Sequence, residues 1–322
     1  MREGQFIKQH MDRWREAEMP TDDPDETARR FTQLVDDLAY AKTFYPRSNT
    51  VRYINNLASK LYLQIYGKRK EKGNRFVSFW TEELPLILYR CRRELVVAAL
   101  FFIVCICLGI FSASHDQSFM RAVLGDNYID MTERNIAKGD PFHVYKDENP
   151  FVMFIYIGWN NIGVAFKTFI GGILGTLGTF YLLFHNGIMV GVFEYLFYKH
   201  GLGLQFILTV FIHGTLELSA AVISGAAGLR LGNALLFPKT YTRMQSLKLG
   251  AKDGIKITIG LIPIFIVAAF FESYLTRHTE MPVIASIGVL AASLFFIIWY
   301  FAIYPARVAP ATEADMEADY EA

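Results

Sequence analysis

The chain has 322 residues, 52% apolar and 20% charged, with 32 Lys+Arg, 31 Asp+Glu and a net charge of +1. So apolar a composition excludes a disordered chain, and so even a charge balance excludes a basic nucleic-acid binder. Cys91, Cys105 and Cys107 are too few for a disulfide framework and lack zinc-motif spacing.

The sequence predicts an all-α, polytopic membrane helix bundle of about six spans, with an N-terminal cytoplasmic helical domain. Charge divides the chain near residue 94. Residues 1–93 hold 18 Lys/Arg and 13 Asp/Glu and read as soluble helices. Met1 to Asp12 is polar and lacks the apolar stretch of a cleavable signal. Thr21 to Glu26 is a turn leading into an acidic helix start. Thr27–Lys42 carries an apolar stripe at Phe31, Leu34, Leu38 and Tyr40, and Arg52–Tyr66 a second at Ile54, Leu57, Leu61 and Ile65. Lys68–Asn74 reads as a polar hinge. Phe76–Glu94, with Phe76, Phe79, Trp80 and Tyr89, reads as an amphipathic helix, either in the membrane interface or packed on the preceding domain.

The bundle is expected over 94–306. Leu95–Ser112 is the first span, 18 residues without a charge, close to the ~20 a membrane helix needs. Asn149–Phe166 is expected to be tilted, interfacial or re-entrant, with Thr168–Phe184 the second span. Gly187–Tyr198, Leu204–Leu229, Ile257–Leu275 and Met281–Tyr304 follow. Arg90, Arg92 and Arg93 place the N-terminus in the cytoplasm by the positive-inside rule. Arg230, Lys239, Arg243, Lys248, Lys252 and Lys256, against Asp253 alone, place the 227–256 loop there too. Six spans satisfy both assignments: a multi-pass protein of the cell membrane with both termini cytoplasmic, an extracytoplasmic loop 113–149, and a disordered acidic tail 307–322.

Small and polar residues mark the core of the bundle. Gly171, Gly172, Gly175 and Gly178 read as a close-packing helix face, and Gly225 and Gly228 offer a second. Asn160, Asn161 and Asn186 must find hydrogen bonds in lipid, by capping helix breaks or by lining a polar cavity. Glu194, His213, Glu217 and Glu272 are ionisable residues within spans, and so functional candidates. His213 and Glu217, four apart, share one helix face. The segment His213-Gly-Thr-Leu-Glu217 lacks the Glu beside the first His and the second His of a zinc-protease helix. Three readings stay open for the pair: a structural hydrogen bond, a metal site completed by Glu272 or Glu194, or a proton or ion relay.

Asn160-Asn161, Phe166, Gly172, Gly175, Asn186-Gly187 and Gly191, then His213-Gly-Thr-Leu-Glu217-Leu-Ser-Ala220, Ser224-Gly225 and Gly228-Leu-Arg-Leu-Gly232, resemble the stage II sporulation protein M family. Trp14, Tyr45-Pro46 and the Tyr53/Leu57/Tyr66 helix extend the resemblance, more loosely, to the N-terminal half. The resemblance implies a membrane scaffold for a hydrolase pair in a complex that remodels peptidoglycan.

No nucleophile–base–orienter set can be assembled from the sequence, so the leading expectation is a non-catalytic envelope scaffold. Its partners would be the lipid bilayer, proteins met through the cytoplasmic domain and the outer loop, and a second copy in a dimer. A transporter or channel using His213 and Glu217 is the alternative, and a metal-dependent membrane enzyme a third idea. No cofactor is expected apart from a candidate metal ion at His213 and Glu217.

Overall fold

A computed structural model describes residues 1–21, 23–66, 74–146, 148–277 and 281–309. Residues 68–73 of the expected hinge, and the expected acidic tail from residue 310, lie outside them. Among the described residues all regular structure is helical. The chain forms two compact units, Met1–Arg75 and Phe76–Ala322.

The first unit is built from α1 (Glu3–Glu18), α2 (Pro24–Phe44) and α3 (Asn49–Tyr66). Asp23 caps α2 by accepting from the Asp25 N–H at 3.0 Å, and Pro24 fills the first helical position. The predicted stripes supply the core: Leu34, Ile54, Leu57 and Leu61 bury with Phe6 and Trp14 of α1. The Trp14 indole donates to Asp37 Oδ2 at 2.8 Å, and Arg13 chelates the same carboxylate at 2.9 and 3.0 Å.

The second unit begins at Phe76, within α4 (Arg75–Ser78), and continues with a π turn at Phe79–Glu83 and α5 (Leu84–Arg90). The sequence reading divides the chain near 94; the compact units divide after Arg75. Leu84, Ile87, Leu88 and Cys91 bury in the core of the second unit, and the Tyr300 hydroxyl donates to Trp80 O at 2.8 Å. The bundle proper is α6 (Arg92–His115), α7 (Gln117–Leu124), α8 (Asp126–Ala137), α9 (Pro150–Ile170), α10 (Leu177–Lys199), α11 (Gly203–Leu236), α12 (Arg243–Phe270) and α13 (Val283–Ile298). α11 is its axis, packing against α6, α9, α10, α12 and α13. α7 and α8 cover the α10–α11 end, where Met120, Ile129 and Phe142 bury with Val192, Leu196, Phe197 and Phe206.

Five helices are long and apolar enough to cross a membrane: Arg92–His115, Leu177–Lys199, Gly203–Leu236, Arg243–Leu275 and Val283–Ala309. Their outward faces are apolar as well. Val96, Val97, Leu100, Ile103, Val104 and Phe111 of α6 are all exposed, a belt far larger than the scattered apolar surface of a water-soluble protein.

Two expectations are corrected, on the spans at 168–198 and on the loop at 227–256, and the helix at 149–166 is extended. First, Thr168–Phe184 and Gly187–Tyr198 are not separate spans. α10 runs unbroken through Asn186-Gly187, and the break lies earlier, at Gly171–Thr176, where Gly175 and Thr176 adopt φ of 65° and 75°. Asn149–Phe166, expected as a helix, belongs to α9, of 21 residues, packed on α11 and α12; with Asn160, Asn161 and Lys167 in it, α9 is not among the five. Second, 227–256 is not one loop. α11 continues to Leu236, and α12 starts at Arg243 with a capping box between Thr242 and Gln245.

Candidate functional site

The buried face of α11 carries two ionisable side chains. His213 and Glu217 stand one helical turn apart on it, among Ile212, Leu216 and Ala220. α12 supplies the opposing groups. Its last α-helical turn widens into a π turn at Phe271–Leu275, and Glu272 and the following Thr276 meet α11 there. Wide turns of this kind recur at functional sites because they re-aim side chains out of helical register.

Thr276 Oγ1 lies 3.0 Å from His213 Nδ1. The same hydroxyl donates its one hydrogen to Phe271 O at 3.2 Å. In the tautomer compatible with both contacts it accepts from Nδ1–H, and the imidazole lone pair is on Nε2. Nε2 is 4.0 Å from Glu272 Oε1, the two side chains being 4% and 16% exposed. Asn161 of α9 donates its amide to Glu217 Oε1 at 2.6 Å. A ring nitrogen of His213 and one oxygen each from Glu217 and Glu272 lie within 4.8 Å of one another.

These groups share a cavity of about 310 Å³ lined also by Asn160 and Asn186, with Phe102, Phe193, Phe206 and Phe265 among its apolar walls. Tyr128 of α8 packs against Phe193, ring centroids 5.9 Å apart. Burial pushes its phenol up to about 12, and the charge of Glu272 adds to the shift.

The other sequence candidates fall as follows. Asn160 is exposed, 3.4 Å from the Asn161 amide. Asn186 donates to Leu182 O at 2.8 Å within its own helix, so neither asparagine pair caps a helix break. Glu194 is half-buried on α10 and does not line the cavity. Close approach at the glycines is real, though its geometry differs from a single helix face. Gly171 meets Gly178 across the break, Gly172 meets the backbone of Gly228, and Gly225 faces Leu183. Gly175 serves the break itself through its positive φ. Sequence reasoning missed Thr276, which lies beyond the span and carries no motif. It also missed Gly109, Gly187 and Gly191 as the contact between α6 and α10; the four-residue spacing of the last two was the available signal.

A family model described as Stage II sporulation protein M matches residues 98–277. The chain belongs to this family. The matched stretch runs from α6 to just past Thr276, so it contains the whole polar cluster. A second model, described as Domain of unknown function (DUF8413), matches residues 4–67, the three-helix unit. Over 119 residues the chain is 31% identical to a Methanocaldococcus jannaschii protein named Uncharacterized protein MJ0793, covering 36% of this chain and 67% of that one. No solved structure matches the chain. Within this stage II sporulation protein M chain, the cluster is equipped to hold something positive. Two ionised carboxylates within 4.8 Å of one another repel by roughly 3–4 kcal/mol at an effective dielectric of 20, so a positive partner between them is favoured.

Proposed function

We propose that this chain is an integral membrane scaffold whose N-terminal helical unit and 113–149 segment recruit protein partners for cell-envelope remodelling. The observation that carries the reading is the division into two compact units, each matched by a family model of its own. A three-helix unit with a complete core of its own, joined to an apolar bundle, is the layout of a recruiting domain on a membrane anchor. In this reading α9 is a sixth crossing. It is 21 residues long, and its outward face bears Phe151, Val152, Ile155, Tyr156 and Trp159. Six crossings put both termini, the N-terminal unit and the 237–242 turn, with Arg230, Arg243 and Lys248 in the helices beside it, on the cytoplasmic side, and α7 and α8 outside. The membrane-embedded protein, with and without residues 1–75, can be used to capture cross-linked partners. The reading predicts that partners are lost with the deletion; unchanged recovery overturns it.

The polar cavity favours a second reading, an ion or proton pathway through His213 and Glu217, because ionisable groups inside a bundle usually mark such paths. Flux into liposomes that is present in the wild type and absent in Glu217→Gln supports it. No wild-type flux across common ions removes it.

A further inference from the structure

We infer that His213, Glu217 and Glu272 form a binding site for a divalent transition metal ion, zinc foremost, which fastens α11 to α12 with Asn161 of α9 as the outer support. The site goes beyond the scaffold reading and does not rest on it.

Four features of the cluster point the same way. The donor set is one imidazole nitrogen and two carboxylate oxygens, the three-ligand composition of zinc sites that keep a further position open. Imidazole among the ligands favours zinc and its neighbours over magnesium or calcium, which take oxygen alone. The spacing is also close to what coordination needs. Donor atoms on a tetrahedral shell with bonds of about 2.1 Å lie about 3.4 Å apart; here they lie within 4.8 Å of one another, so side-chain movement of about 1 Å closes the shell.

The outer layer is the third feature. Metal-binding histidines are held through the nitrogen that does not bind, and ligating carboxylates accept a second hydrogen bond. Thr276 holds Nδ1 at 3.0 Å, and Nε2 lies 4.0 Å from Glu272 Oε1. Asn161 holds Glu217 Oε1 at 2.6 Å. The last feature is room: the cavity of about 310 Å³ exceeds what the ion alone occupies, so a water completes the coordination.

The test uses the full chain in detergent or nanodiscs, stripped with a chelator and dialysed against zinc, with elemental analysis as the readout. The site predicts about one zinc per chain. Loading with cobalt(II) should give visible absorption bands of a low-coordinate nitrogen–oxygen site. Glu217→Gln and Glu272→Gln should each weaken binding by at least tenfold and alter the cobalt bands. Thr276→Val, which touches no ligand atom of the metal, should weaken it 10- to 100-fold. Zinc below about 0.1 per chain in the wild type overturns the proposal, as does equal loading of wild type and the Glu217→Gln/Glu272→Gln pair. If the variants do not fold, the wild-type stoichiometry and cobalt spectrum decide alone. Metal loading that succeeds while partner capture is unaffected by deletion of residues 1–75 would leave this site standing and the scaffold reading overturned.

Discussion

Single glycines set how closely the helices of the bundle approach, and the structure separates those that are indispensable from those that are not. A Cβ on Gly228 would fall 2.6 Å from Thr168 O, where backbone rather than a pliable side chain must give way. Gly228→Ala is therefore predicted to cost about 1–3 kcal/mol by overpacking. Gly163 has nothing within 4 Å of its added Cβ, so Gly163→Ala should be neutral or stabilising by about 0.5–1 kcal/mol, since alanine relieves the entropic cost of glycine in a helix. Thermal unfolding of the two variants in the same detergent checks the contrast, and equal losses would contradict it. Cys91 makes a second prediction. It is buried at the foot of α6, and burial pushes its thiol up to about 12, so its thiolate is scarce at pH 8. Intact-mass analysis should find Cys91 unmodified by iodoacetamide in the folded protein and modified after denaturation. Rapid modification of the native protein would contradict its placement.

Periodicity made the elements legible where one side of a helix is buried and the other solvated, as in α2 and α3, whose stripes are the observed core. The same spacing was available in α1, where Phe6, Ile7, Met11, Trp14 and Ala17 all join that core. The apolar bundle was also legible, since runs such as Leu95–Ser112 have few alternatives. Helix ends within it were not. Asn186-Gly187 is a strong turn signal in a water-soluble chain, yet here Gly187 lets α10 approach Phe102 and Cys105 of α6, and Asn186 bonds back to Leu182. The true break falls in the glycine run 171–178, because glycine both ends helices and lets them touch, and composition cannot distinguish the two uses. For the candidate site, His213 and Glu217 were readable as an i, i+4 pair. Glu272 and Asn161 were nameable as candidates, but their convergence depends on tertiary packing and on the π turn that presents Glu272. At this scale Trp14→Ala should destabilise the N-terminal unit by about 3–5 kcal/mol, since it removes a core indole and a donor to Asp37. Hydrogen exchange on the full chain should quicken over 1–66 and stay unchanged over the bundle; equal quickening throughout would contradict the division into two units.

For the whole molecule, sidedness turns on α9. Between the 116–149 segment and the 237–242 turn the chain passes through α9, α10 and α11. If all three cross the membrane, the two segments face opposite sides; if α9 does not, they face the same side. In a background lacking the native cysteines, Ser118→Cys and Thr240→Cys should react with a membrane-impermeant thiol reagent from opposite sides. Labelling of both from one side would remove α9 as a crossing and, with it, the common placement of the two termini.

The reading of the polar cluster depends on protein, rather than acyl chains, surrounding the imidazole and the two carboxylates. A side-chain-resolution structure of the full chain in lipid nanodiscs is the most direct measurement. The account predicts α11 inside the bilayer with donor atoms of His213, Glu217 and Glu272 gathered within about the 4.8 Å seen here, enclosed by α9, α10 and α12. Either carboxylate facing lipid, or α11 lying outside the bilayer, would contradict it.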